Sequence, residues 1–343
     1  MNRAPDLPAA RSRRRFLALG AAAIGSIAVL PACGAGGTDG GTAGPRGPAA
    51  GSAFPVTLRD RFGPVTIAAA PTTVASVGRT DHDVLLALGI APVSVYQFVP
   101  SMTRGVGAWA EPELGTARPV ILTRPLRFEQ IAALRPDLIL DVQSLGDEAE
   151  HRTLSKIAPT VSLPAGTAPN TVSWQDSARI ISTAVGRATD GKQLVADVET
   201  TLANAATANP SFAGRTVSIL LGSGGNPGGY TTADTRMQVV TALGLTPSAY
   251  TTELDQTEFF VELSNELVND ADADIVILLT REGLSAADAL ARYPAIARST
   301  FAVEDRLVIV EDVTISLALS CASVLSIPYA IKGLVPLLAA KLG

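Results

Sequence analysis

The stretch WQDSARIISTAVGRATDGKQLVADVETTLANAATAN (residues 174–209) sits in mid-chain and offers no strand. Its apolar residues fall at Ile180, Ile181, Ala184 and Val185, then at Leu194, Val195, Val198 and Leu202, the spacing of a helix with one buried face. On either side the pattern changes. Short β-branched runs at 74–77, 93–98, 138–142 and 161–163, and again at 217–221, 275–279 and 307–310, read as strands. Helical periodicity falls between them at 81–88, 128–134, 147–157, 236–243 and 263–269. Strands alternating with helices imply parallel pairing. The fold class is therefore α/β: two Rossmann-like βα lobes with mostly parallel sheets, bridged by a long α-helix, with a ligand cleft between the lobes. The expected divisions are 53–170 for the first lobe, 171–210 for the bridging helical segment and 211–343 for the second lobe.

The halves echo one another. Ala87-Leu-Gly-Ile-Ala-Pro92 matches Ala242-Leu-Gly-Leu-Thr-Pro247, each after a helical run. Glu129-Gln-Ile131 precedes Asp137-Leu-Ile-Leu by the same eight-residue step with which Glu266-Leu-Val268 precedes Asp274-Ile-Val-Ile. Two matches in one order point to paired lobes.

The N-terminus has a different character. A basic cluster at Arg11 to Arg15 leads into an apolar run from Phe16 to Leu30 and then Leu30-Pro-Ala-Cys33. Those fifteen apolar residues make a helix of roughly 22 Å, short of the ~30 Å hydrocarbon slab. The segment 1–32 is thus a removable signal peptide. The Ser12-Arg13-Arg14-Arg15-Phe16-Leu17 string resembles the twin-arginine export motif, and Leu30-Pro-Ala-Cys33 resembles the bacterial lipobox, which makes Cys33 the lipidated residue. Residues 33–52, mostly Gly, Ala, Thr, Pro and Ser after Cys33, form a flexible tether.

Charge and cysteine content narrow the function. The 343-residue chain carries a formal charge of −5, and losing the five arginines and one aspartate of residues 1–32 takes it to −9. Nucleic-acid binding is excluded on that balance. With Cys33 acylated, Cys321 stands alone among Leu317, Leu319, Val324 and Leu325 as an inert buried thiol. Two histidines, His82 and His151, are too few for a histidine-built metal site. His82, between Asp81 and Asp83, reads as a capping or surface residue. No Gly-x-Ser-x-Gly elbow or convincing Ser-His-Asp arrangement is present, so the chain is not expected to be an enzyme.

Five strings carry a family resemblance: Pro71-Thr-Thr-Val-Ala-Ser-Val77, Asp83-Val-Leu-Leu-Ala-Leu-Gly-Ile-Ala-Pro-Val93, Phe128-Glu-Gln-Ile-Ala-Ala-Leu-Arg-Pro-Asp-Leu-Ile-Leu140, Leu154-Ser-Lys-Ile-Ala-Pro-Thr-Val161 and Leu263-Ser-Asn-Glu266. In that order, over roughly 54–338, the chain resembles the helix-hinged (class III) solute-binding lipoproteins of ABC importers. The fourth string and Asp81-His-Asp83 tilt it towards the iron-siderophore subgroup. The resemblance implies a monomeric carrier, lipid-anchored at the extracytoplasmic face of the cell membrane, with little hinge closure and no catalysis. It would have no resident cofactor, a ferric siderophore as cargo and membrane permease subunits as partners. Haem or cobalamin remains open as an alternative cargo, haem because Tyr96 or Tyr230 offers an axial ligand.

A ferric siderophore is a bulky, often anionic chelate, so its cleft needs aromatic faces and guanidinium groups on loops that follow strands. The candidates are Arg79, Tyr96, Arg104, Trp109 and Arg124 in the first half and Tyr230, Arg236, Tyr250 and Phe260 in the second. The glycine run 222–229 lacks the Gly-Lys-Ser/Thr ending of a nucleotide loop and reads as a mobile cleft loop. Trp174 reads as core. Glu129 and Glu266 sit at equivalent helix starts, and in the family matching glutamates dock onto permease arginines; one carboxylate per lobe suits a transient, salt-sensitive contact.

Overall fold

A computed structural model describes residues 53–343 apart from 224–225 and 281–282. The signal peptide, Arg13, Arg14, Cys33 and the tether lie outside the described residues. Thirteen strands are described: β1 (Val56–Asp60), β2 (Gly63–Ile67), β3 (Val74–Ser76), β4 (Ser94–Tyr96), β5 (Val120–Leu122), β6 (Leu138–Asp141), β7 (Thr160–Ser162), β8 (Thr216–Ser223), β9 (Asn226–Tyr230), β10 (Thr246–Pro247), β11 (Phe260–Glu262), β12 (Ile275–Thr280) and β13 (Leu307–Val310).

The first lobe is a wholly parallel sheet in the order β5-β4-β3-β6-β7. Its strand β6 is buried along its whole length, which is why it reads as an apolar run. The second lobe orders its strands β11-β9-β8-β12-β13, with β10 also on β8. Here β8, β10, β12 and β13 pair in parallel, whereas β9 is reversed and pairs antiparallel with β8 on one side and β11 on the other. The antiparallel β8–β9 hairpin occupies the glycine run expected to be a mobile loop. Gly228 and Gly229 are needed because a Cβ on either would run into the rings of Phe260 and Tyr250.

A second departure is the antiparallel β1–β2 hairpin, in register from Val56↔Ile67 to Asp60↔Gly63. It hooks onto the edge of the first sheet: Ser162 N donates to Asp60 Oδ2 at 2.9 Å and Arg61 N to the Leu163 carbonyl at 3.0 Å. A third concerns residues 263–269, where a turn and the 3-10 helix Val268–Ala271 stand in place of an α-helix.

The bridge is two helices, Trp174–Ala184 and Ala188–Ala208, rather than one. The first packs on the first lobe's helix Asp81–Ala87, the second on the C-terminal helix Ser326–Leu342, and the two pack on each other. The break falls at Gly186, whose φ of +71° an L side chain rarely adopts. A Cβ there would also lie 2.5 Å from the Phe54 ring. Consequently one hydrophobic core runs without interruption through both lobes, from Val74 and Leu85 through Ile181 and Val198 to Ile219 and Leu334. Among the described residues no helix is long and apolar enough to cross a membrane.

Replacing Gly186 with valine combines a left-handed backbone with a steric clash and is expected to destabilise the chain by roughly 2–4 kcal/mol. Urea unfolding followed by far-UV circular dichroism checks this, and an unchanged midpoint would refute the account of the break.

Candidate functional site

The site is assembled by loops at the C-terminal ends of the parallel strands, where open α/β sheets place their ligands. In the first lobe the turns after β3 and β6 are stitched together. Arg79 N donates to the Gln143 carbonyl at 2.8 Å, while Asp81 Oδ2 and Oδ1 accept from Val142 N and Gln143 N at 2.7 and 3.0 Å. Burial pushes the Asp81 carboxyl up to about 6, with those two amide bonds pulling it back.

Three arginines then face one cavity, each laid over an aromatic ring. The Arg79 guanidinium lies 5.2 Å from the Phe98 centroid, Arg124 lies 5.3 Å from Tyr96, and Arg236 lies 4.0 Å from Tyr230. Arg124 Nη1 is also held by both oxygens of Glu150, at 2.8 and 2.6 Å. Arg236, on the first turn of the helix Thr235–Ala242, bonds Asp234 Oδ2 at 2.7 Å and Ser320 Oγ at 3.2 Å. Burial pulls the Arg236 pKa down, but Asp234 and Tyr230 outweigh it and leave the group above its ordinary value. Arg79 has no hydrogen bond to its guanidinium among the described residues, its Nε is buried without a partner, and burial lowers its pKa.

The cavity between the lobes measures about 230 Å³ and is lined by Arg79, Tyr96, Phe98, Arg124, Gln143, Ser144, Leu145, Asn170, Tyr230, Arg236 and Phe259. Five of the nine residues expected there line it: Arg79, Tyr96, Arg124, Tyr230 and Arg236. Four do not. Arg104 is turned onto its own lobe, donating to the Gly115 and Ala117 carbonyls at 2.8 and 3.2 Å. Trp109 is buried behind the cleft wall and donates Nε1 to Asp83 Oδ2 at 2.8 Å. Tyr250 packs beneath β9, and burial pushes its hydroxyl up to about 12. Phe260 supports the Tyr230 ring from below at 5.2 Å, leaving its neighbour Phe259 on the rim; adjacent side chains of an extended segment face opposite ways.

Gln143, Ser144 and Leu145 obey the strand-end rule that singled out the arginines, but as neutral residues they carried no chemical flag. His82 is buried, not at the surface; its Nε2 is 3.4 Å from Asp83 Oδ1, and burial lowers its pKa. His151 stacks on Phe62 at 4.1 Å, away from the cleft. Trp174 and Cys321 are buried in the core, and burial pushes the thiol up to about 12. Glu129 is exposed on the first turn of the helix Phe128–Ala133; Glu266 is exposed in the turn before the 3-10 helix. Neither makes a salt bridge or side-chain hydrogen bond among the described residues.

Two lobes, a bridge of helix alone and a cleft at the strand ends define a solute-binding architecture. The family model described as periplasmic binding protein matches residues 74–313, and the chain belongs to that family. It is 31% identical to a periplasmic solute binding protein from Mycobacterium smegmatis, covering 84% of this chain and 99% of that one with a TM-score of 0.74. It is 28% identical to Streptococcus pneumoniae PiaA, solved in complex with ferrichrome, over 83% of this chain and 98% of that one with a TM-score of 0.72. A Bacillus subtilis protein described as the probable siderophore-binding lipoprotein YfiY is 27% identical over 231 residues, which span 62% of this chain and 65% of that relative's length.

Beneath the first-lobe arginines lies Asp141, 1% exposed, with Oδ1 unpartnered. Burial first, and then the charges of Asp81 and Glu150, push its carboxyl up to about 8. The folded chain therefore holds this proton where an unfolded aspartate has lost it, so this group's contribution to stability falls as pH rises from about 4 to about 8. Asp141→Asn should remove that slope, gaining on the unsubstituted chain by more than about 1.4 kcal/mol across the window, the equivalent of one pKa unit. Urea unfolding across that range measures it; parallel curves for the two chains would show that Asp141 is not the source.

Proposed function

We propose that the protein is the lipid-anchored capture subunit of an ABC importer and that its cargo is a ferric siderophore. The observation that carries this reading is the convergence of three guanidinium–aromatic pairs, two from one lobe and one from the other, on a single preformed cleft. Rings suit the organic shell of a chelate, and guanidinium forks suit its oxygens. At about 230 Å³ the cavity is below the ~300–1,000 Å³ of sites that engulf a drug-sized ligand, so a bulky chelate sits in it with one side open to solvent. Leu145 and Phe259, the exposed apolar residues of the rim, would cover its flank. PiaA's complex with ferrichrome and YfiY's description as a siderophore-binding lipoprotein support the cargo class and the anchor.

On this reading residues 1–32 are removed, Cys33 is acylated, and residues 33–52 tether a monomeric lobe pair at the extracytoplasmic face of the membrane. The chain binds and delivers; it performs no catalysis. Glu129 and Glu266, exposed and without an ion partner among the described residues, are free to meet permease arginines, one per lobe.

The domain from Ala53 onward should retain the colour of a ferric siderophore through gel filtration, and equilibrium titration with ferric hydroxamates, ferric catecholates, haemin and cobalamin should show saturable binding to a siderophore alone. Binding of haemin or cobalamin only would replace the cargo. Replacing Glu129 and Glu266 together with glutamine should abolish cellular uptake of the labelled chelate while leaving its Kd within threefold. Uptake at the unsubstituted rate would reduce both glutamates to helix-end and turn residues.

A further inference from the structure

The three arginines of the cleft do not carry equal free charge. Arg124 is closed by the carboxylate of Glu150, and Arg236 by that of Asp234, so each is an internally neutral pair. Arg79 has no such partner among the described residues. It shares the cleft with Gln143, whose Oε1 is likewise buried and unpartnered, while the Gln143 amide nitrogen is already committed to the Val172 carbonyl at 2.7 Å and Ser177 Oγ at 3.1 Å. The described lining thus presents one guanidinium without an ion pair, Arg79, beside a buried acceptor without a partner, Gln143 Oε1. Under it the same helix start adds the buried carboxylates of Asp81 and Asp83. An incoming anion meets one guanidinium and, just beyond it, two carboxylates already attached to the others, in an environment where charges are poorly screened.

We infer that this cleft selects ferric chelates carrying no more than one net negative charge, with Arg79 contacting the chelate's oxygens and Glu150 and Asp234 turning polyanionic chelates away. This deepens the proposed function and rests on it. A second or third anionic group would meet Arg124 or Arg236 with a carboxylate already on Nη1, so it gains little from a charge already neutralised and is repelled by that carboxylate, whereas Arg79 carries no such competitor. The aromatic partners Phe98, Tyr96 and Tyr230 are indifferent to ligand charge and supply contact for either kind of chelate.

The experiment compares the mature protein's Kd for three ferric chelates of similar size at low ionic strength: a neutral tris-hydroxamate, the same scaffold bearing one pendant carboxylate, and a trianionic tris-catecholate. The trianion is expected to bind at least tenfold more weakly than the neutral chelate. Glu150→Gln should raise the trianion's affinity relative to the neutral chelate's more than tenfold, any loss from a less ordered Arg124 being common to both; an unchanged ratio would overturn the role given to Glu150. Arg79→Gln should erase any preference for the monoanion over the neutral chelate; circular dichroism establishes that it folds, and the Glu150→Gln arm stands independently of it. A trianion bound within tenfold of the neutral chelate, or more tightly, overturns the charge inference and leaves the siderophore reading intact. Failure of all three chelates to bind overturns the siderophore reading itself.

Discussion

A carboxylate taken out of water has to be surrounded by donors, and Asp83 collects its donors from opposite ends of the chain. Trp109 Nε1 reaches one oxygen from within the first lobe, and the Ser323 hydroxyl reaches the same oxygen from the second, 240 positions away. Ser323 itself is fixed, its amide donating to Ser326 Oγ at 2.8 Å and its hydroxyl accepting from Ser326 N at 3.0 Å. The Trp109 and Tyr329 rings meet across the same seam, with centroids 6.3 Å apart. Pulling the lobes apart would remove the Ser323 donor from Asp83, a hydrogen bond to a charged group contributing about 1.5–3 kcal/mol, and would also open the core that the two bridge helices share. Large hinge motion is therefore opposed at both the polar seam and the apolar bridge. The cleft depends on this restraint, because its walls belong to different lobes and keep their spacing only while the seam holds.

A cleft whose walls are restrained in this way is best organised before the ligand arrives. Arginine is a flexible side chain, and ordering one on binding removes roughly 0.5–1.5 kcal/mol of affinity. Here the ordering is done in advance: the Phe98, Tyr96 and Tyr230 rings each face a guanidinium, and Glu150 and Asp234 fix two of the three in register. The support extends a layer further. Phe260 underlies Tyr230, and Phe260 fits there because Gly228 leaves the space.

That last relation explains what the sequence conceals. Strands such as β6 and β12 announce themselves because burial on both faces demands unbroken apolar runs. β9 is a strand by virtue of its partner β8 and of the rings packed on it, and neither shows in a glycine-rich string that also describes a loop. The β1–β2 hairpin hides for another reason: its five-residue strands are half-exposed and gain their stability from Asp60 and Arg61 meeting β7 a hundred residues later. Residues 263–269 have apolar side chains at helical spacing, yet Leu267 is exposed and the segment turns. In the cleft, the strand-end rule found the arginines but is blind to which side of a loop a residue faces. Trp109 turned inward because a buried carboxylate claimed its indole nitrogen, a long-range debt that no local pattern displays.

The internal repeat, by contrast, has a mechanical basis that sequence comparison of the halves had touched. Asp137, just before β6, accepts from Thr72 N, Thr72 Oγ1 and Thr73 N at 2.8, 2.8 and 2.9 Å, and so locks the start of β6 to the start of β3. Asp274, just before β12, accepts from Thr216 N and Oγ1, both at 2.8 Å, and locks β12 to β8 in the same way. Each carboxyl is held below its ordinary pKa: in Asp137 burial opposes and the threonine bonds prevail, and in Asp274 the Thr216 bonds lead. Both clamps lie at the N-terminal ends of the strands, and the cleft lies at the C-terminal ends, where Arg79 and Gln143 follow β3 and β6. Because register is already fixed at one end, the loops at the other need not carry it alone, and the Asp81 bonds that join them can serve to shape the cleft wall. That freedom is what allows the first lobe to spend its strand ends on two arginine–ring pairs, the second on one, without the two halves losing the common frame that the clamps preserve.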